Sequence, residues 1–272
     1  NDAVSSPRKV QVLGRDVTGV DLVLIPTASV SGGLRRATET KDLACKSSHV
    51  PAFSEQVLEL VNENSAEDAQ ANHRGIGGNR RQVPERNGSI SFQSLSAGRY
   101  RVVPRLLDDN WFLKSITLPG APVKTTAKAA PKPAVMDVGR NGLTLKAGDR
   151  LSGLMVTVGD GAASLSGKLV PAPNTSLAPN LKVVLVPAEK ERQEDYLRYS
   201  FITAGNDGAF KLRNLAPGKY LVLPSAEGEE LSKKLLIPSE RIKLVKEAET
   251  LAITVELQPC QKLEGQTVKL PK

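Results

Sequence analysis

Apolar and polar residues alternate with a two-residue period in short runs along much of this chain, and turn residues separate the runs. Ile90 and Phe92 follow Asn87-Gly88, and Phe210 and Leu212 follow Asp207-Gly208, which is the pattern of a half-buried strand leaving a tight hairpin turn. A Leu-x-x-Gly-x-Tyr segment comes next in both places, Leu95 to Tyr100 and Leu215 to Tyr220, and leads into Tyr-Arg-Val-Val or Tyr-Leu-Val-Leu. Gly98 and Gly218 stand where the chain must bend. Tyr100 and Tyr220 take the place of a tyrosine corner, with the ring in the core and the hydroxyl on upstream backbone. Without gaps, residues 87–104 and 207–224 are identical at Gly88/Gly208, Leu95/Leu215, Gly98/Gly218, Tyr100/Tyr220, Val102/Val222 and Pro104/Pro224. The pattern predicts one all-strand unit present twice.

The rest of the chain supplies counterparts. Residues 9–26 hold two strand-like runs around Gly14-Arg15-Asp16, and residues 143–158 show the same plan, with Val17-Thr18-Gly19-Val20 matching Leu151-Ser152-Gly153-Leu154. Ser29 to Leu34 then matches Ser164 to Leu169, and Val57 to Val61 matches Val183 to Val186 as the next strand. Further strands are predicted at 111–118, 235–237, 242–244 and 250–257, and a Pro-, Ala- and Lys-rich excursion outside the core at 119–138. Residues 54–72 can also be laid on a helix, and residues 189–199 are polar enough for a short surface helix. Seven or so short strands per unit, with turns between them, predict tandem Greek-key β-sandwiches, an all-β, immunoglobulin-like architecture. Residues 1–26 read as closing strands of a preceding repeat, 27–159 as a first sandwich with long loops at 35–54 and 62–86, 160–258 as a second sandwich, and 259–272 as the start of a following repeat or a tail.

Composition narrows the class. No run of eighteen apolar residues is present, so no membrane span is predicted, and without an initiator Met or signal peptide the chain is expected to be a processed product or a piece of something longer. The net charge is +8, yet aromatic residues are only 4% and none interleave a basic run, so a solvated basic surface is expected rather than a specific nucleic-acid site. Cys45 and Cys260 make neither a disulfide framework nor a metal cluster; they pair with one another, stay free, or pair outside this segment. With only His49 and His73 as bases, and no nucleophile elbow, zinc helix, phosphate loop or dinucleotide fingerprint, neither catalysis nor a metal or cofactor is expected. Asp108-Asp109 reads as a solvated turn pair rather than a calcium site.

The succession Leu165-Ser166-Gly167-Lys168-Leu169, Val183 to Pro187, Asn206 to Phe210 and Leu215 to Tyr220 resembles the carboxypeptidase regulatory-like, or prealbumin-like, domain of secreted and outer-surface bacterial proteins. The likeness covers residues 160–258 and, more loosely, 27–159. It implies a seven-stranded sandwich without catalysis, serving as spacer, folding companion or interaction module. The related collagen-adhesin stalk domains carry Lys–Asn crosslinks promoted by an acidic residue after the Gly-x-Tyr corner; that residue is missing after both Tyr100 and Tyr220.

One stretch offers binding chemistry. In Asn72 to Arg86, the residues Arg74, Arg80, Arg81 and Arg86 sit among glycines on an expected loop, where guanidinium groups could grip carboxylate or phosphate. Three functions follow as expectations. The first is a non-enzymatic spacer or fibre-forming segment of a secreted or cell-surface bacterial protein, whose partners are neighbouring repeats or copies of itself. The second is a module for an anionic glycan or cell-envelope surface using those arginines, and the third an accessory part of a secreted hydrolase.

Overall fold

The computed structural model describes residues 3–5, 8–14, 16–37, 45, 51–63, 81–120, 135–228 and 230–270. Contacts divide the chain into two compact units. One is Asn1–Leu34, Ala52–Arg105 and Ile116–Met155; the other is Arg35–Pro51, Leu106–Ser115 and Val156–Lys272. The chain is all-β, with its sheets arranged as sandwiches.

The strands of the first half are β1 (Ala3–Ser5), β2 (Leu24–Pro26), β3 (Ala28–Arg36), β4 (Val57–Asn62), β5 (Arg81–Gln82), β6 (Ser89–Leu95), β7 (Gly98–Arg105), β8 (Trp111–Pro119), β9 (Val135–Asp137), β10 (Leu143–Leu145) and β11 (Arg150–Asp160), with a one-turn helix α1 (Val138–Asn141). They build a four-stranded sheet in the order β10-β7-β4-β5 and a five-stranded sheet in the order β6-β3-β11-β8-β9. Alternation decides which side chains go inward. Leu58 and Leu60 of β4, Tyr100 and Val102 of β7, and Leu143 and Leu145 of β10 are buried from one sheet, and Val30, Leu34, Ile90 and Phe92 from the other.

In the second unit, β12 (Ala163–Val170), β13 (Lys182–Pro187), β14 (Ser200–Thr203), β15 (Ala209–Leu215), β16 (Gly218–Ser225), β17 (Ile253–Leu257) and β18 (Lys262–Lys269) form a three-stranded sheet, β15-β12-β18, and a four-stranded sheet, β14-β13-β16-β17. Leu165, Leu169, Phe210 and Leu212 of the smaller sheet share a core with Val183, Leu185, Tyr220, Val222 and Leu257 of the larger. Two helices, α2 (Glu230–Lys234) and α3 (Pro238–Leu251), lie in this unit. Leu231, Leu235, Val245 and Ala248 from this helical segment pack with Val184 and Val186 of β13 and Leu221 and Leu223 of β16.

The two strand pairs that carry the matching sequence share one register. β3 pairs antiparallel with β6, placing Val30 opposite Phe92 and Gly32 opposite Ile90, with a register shift between Ala28 and Val30. β12 and β15 do the same: Leu165 faces Leu212, Gly167 faces Phe210, and the shift falls between Ala163 and Leu165. Both hairpin turns carry the expected glycine, at φ +86° for Gly88 and +81° for Gly208. Each turn is fastened by its first residue, since Ser89 N donates to Asn87 Oδ1 and Ala209 N to Asp207 Oδ1.

Several expectations need correction. Residues 235–237 and 242–244, read as strands, lie in and around the two helices, and Thr250 belongs to α3 rather than to a strand. Among the described residues of 8–26 only Leu24–Pro26 is a strand, pairing with Ala3–Ser5. Lys262–Lys269, read as the start of a following repeat, pairs parallel with β12 inside the second unit, because its apolar face completes that unit's core. The strand expected at 57–61 is present as β4, while the short surface helix weighed for 189–199 is instead two single 3-10 turns, at 190–192 and 196–198. Within the excursion at 119–138, residues 121–134 lie outside the described residues, and Val138 is buried rather than outside the core.

Candidate functional site

The two tyrosine corners are the most specific local constellation, and they are equivalent. Tyr100 Oη donates to the carbonyl of Ser96 at 2.9 Å, and Tyr220 Oη to the carbonyl of Ala216 at 2.8 Å, each four residues upstream. Both rings are buried. Tyr100 lies opposite Leu143 and Gly98 opposite Leu145; Tyr220 lies opposite Val255 and Gly218 opposite Leu257. Bare backbone at the bend leaves room for a neighbour, since a Cβ on Gly98 would stand 3.2 Å from the Asn62 amide nitrogen. Burial raises the Tyr220 phenol above its ordinary range against the opposing influence of Arg198. The corners therefore hold strands together rather than perform chemistry.

The candidate interaction surface is the outer face of the β10-β7-β4-β5 sheet. Alternation that sends Leu58, Leu60, Tyr100 and Val102 inward sends Glu59, Arg99, Arg101 and Arg105 outward, and Arg81 of β5 pairs beside Glu59. Glu59 accepts from Arg81 Nε at 3.1 Å and Arg105 Nε at 2.9 Å. Burial alone would raise the Glu59 carboxyl, but these two guanidinium groups outweigh it and hold the carboxyl below its usual range. Glu63 likewise bridges Arg99, at 2.7 Å, and Arg101. Arg101 is itself buried, and its Nη1 donates to the carbonyls of Gly139 and Arg140 at 3.0 Å each, closing the C-terminal turn of α1. Four arginines thus surround two carboxylates, and a ligand anion would have to displace a carboxylate to be gripped by a pair of them.

The Arg loop fares as follows. Arg81 is a β-strand residue committed to Glu59, and Arg86 is exposed in the turn before Asn87. Arg74 and Arg80 lie outside the described residues, as do His49 and His73. A second basic feature lies elsewhere. Arg35, Arg36 and Lys114, with Ala37, Ser115 and Thr157, line an open cavity of ≈ 420 Å³. Arg35 Nε donates to Thr157 Oγ1 at 3.0 Å and Arg36 Nε to Asp160 at 2.7 Å. No sequence motif announces it, since its lining comes from three separated segments. Among the described residues no three His, Cys, Asp or Glu side chains are grouped to hold a metal ion, and no helix is long and apolar enough to cross a membrane.

Cys45 and Cys260 form a disulfide, with sulfurs 2.07 Å and Cα atoms 5.3 Å apart. Of the alternatives open in the sequence, the intrachain bond is the one realised.

No protein-family model and no curated protein matches the sequence. Solved structures similar to the chain include the Bacillus anthracis TIE protein, at 10% identity and a TM-score of 0.28, covering 90% of this chain and 34% of that one. A streptococcal ancillary pilin is similar at 11% identity and a TM-score of 0.24, covering 79% of this chain and 65% of that one. The minor pilin GBS52 of Streptococcus agalactiae is similar at 9% identity and a TM-score of 0.25, covering 90% and 98%. The chain thus spans about a third of the first of these proteins and under two thirds of the second.

Proposed function

We propose that this chain is a non-catalytic structural segment of a secreted or cell-surface protein, in which serial β-sandwiches hold a length and associate with neighbours of the same kind. The observation that carries this reading is the doubled tyrosine corner, with equal hydroxyl bonds and equal strand register in both units. A disulfide closed across 215 residues supports an oxidising compartment. Sandwiches of this kind offer edge strands, such as β14 and β5, as places for a neighbour to add a strand. The test is surface labelling of intact cells of the source organism, with protease shaving. Release of fragments carrying this sequence, disulfide intact, is expected; detection only in the reducing cytosol refutes the proposal.

A further inference from the structure

The stretch Arg8–Pro26 presents its apolar side chains to solvent: Val12, Leu13, Leu22, Val23 and Leu24 are each 60% to 70% exposed. Among its described residues only Leu24–Pro26 is strand, despite the strand-like alternation. Such a stretch is costly to leave in water unless something covers it.

What covers it can be read from two other occurrences of the same motif. Gly14 and Gly19 lie at φ +74° and +75°, Gly148 and Gly153 at +79° and +86°, and Cys260 and Gly265 at +62° and +71°. Among the described residues a pair of left-handed residues five apart thus occurs three times, and twice it sits just before or within the closing strand, β11 or β18. Beyond the second of the pair, Val20, Leu22 and Leu24 hold the places of Leu154, Val156 and Val158. The former are 42%, 60% and 69% exposed; the latter are all fully buried. In β18 the same places fall to Gln266, Val268 and Leu270, of which Val268 is buried and Leu270 packs on the core.

The seat of the motif is also the same in both paired cases. β11 lies beside β3 and β18 beside β12, the opening strands. The residue after the second glycine backs onto a glycine of that strand: a Cβ on Gly32 would fall 1.8 Å from the Leu154 carbonyl oxygen, and one on Gly167 2.0 Å from that of Gln266. The opening strands read Ser-Val-Ser-Gly and Ser-Leu-Ser-Gly there.

We propose that Arg8–Pro26 is the closing segment of a further β-sandwich of this same class, one without its own, adding residues 16–26 beside an opening strand whose glycine faces Val20. The chain's own two units are not that acceptor, because β11 and β18 already occupy the position in each. This inference rests on the serial-sandwich reading, and the experiment separates the two. Residues 27–142, a sandwich stripped of β10 and β11, are fused ahead of Arg8 of the full chain. Backbone amide exchange at Val20–Ile25 is then expected to be about 100-fold or more slower than in the unfused chain. Val20→Asp/Leu22→Asp/Leu24→Asp in the fusion restores fast exchange, while in the unfused chain these substitutions leave the melting temperature unchanged. A second fusion, with residues 150–158 copied in place of 16–24, shows the protection a competent closing strand reaches. Fast exchange at Val20–Leu24, with native 150–158 protected in the same molecule, overturns the docking and leaves the sandwich reading standing, whatever the copied strand does. Fast exchange at 150–158 as well sinks both.

Discussion

Replacing Tyr100 or Tyr220 by Phe removes one oxygen and keeps the ring, so the change isolates the corner hydroxyl. Tyr100 and Tyr220 are 0% and 3% exposed, and each hydroxyl donates to a carbonyl at 2.8–2.9 Å. Without it, the carbonyls of Ser96 and Ala216 lose a partner, a loss worth about 1–3 kcal/mol for a buried group. For units of this size that corresponds to a fall in melting temperature of about 2–4 °C per kcal/mol. Urea denaturation of each variant and of the double variant is the assay. Equal m-values would show that the denatured state is unchanged. The two losses should be similar and should add, because the corners share no partner. A change below about 0.3 kcal/mol at either corner, or a large loss at one beside none at the other, refutes the claim that the corners are equivalent fastenings.

Three further outcomes are expected. Cys45→Ser/Cys260→Ser removes a bond across 215 residues and should cost about 5 kcal/mol by loop entropy, read by denaturation beside the oxidised chain; a loss under about 1 kcal/mol contradicts it. Burial, opposed by Arg241 and aided by Asp195, pushes the Tyr199 phenol up to about 12. Because that value lies above the unfolded one, the contribution is fully present below pH 10 and is lost as pH rises through about 12, so an absorbance titration of tyrosinate should show a late-titrating group that coincides with alkaline unfolding. Leu235→Ala, at a buried position packed against the β13–β16 face, should destabilise the second unit by about 2–5 kcal/mol in thermal melts; an unchanged melt would show that the helices do not cover that face.

The sequence made the hairpins, corners and duplication legible because each depends on residues a few positions apart: Asn87-Gly88, Asp207-Gly208 and the Gly-x-Tyr pairs. The helices of the second unit were misread, although a signal was present. Val183 to Val186 and Tyr220 to Leu223 are continuous apolar runs, which mark strands covered on both faces, whereas Leu58-Glu59-Leu60 and Tyr100-Arg101-Val102 alternate as strands with one polar face do. Pro238 at the first turn of α3 was a second cue. The charged face was beyond sequence reasoning. Glu59 meets arginines 22 and 46 positions away, and only strand pairing brings them together. Residues 9–26 carry the apolar alternation of strands, yet among the described residues of that stretch only Leu24–Pro26 is one, because alternation records a face suited to burial without naming what buries it.

The bond between Cys45 and Cys260 governs how the molecule would respond to tension. Pulled between residues 1 and 272, the chain can lengthen only through residues 1–44 and 261–272, because the covalent link carries the force past everything between. At about 3.5 Å per residue that contour is about 200 Å, against about 950 Å for the same polypeptide without the link. Both corners lie inside the shielded ring, whereas β3 and β18 lie in the two segments that carry the load, so tension peels these strands before it reaches either corner.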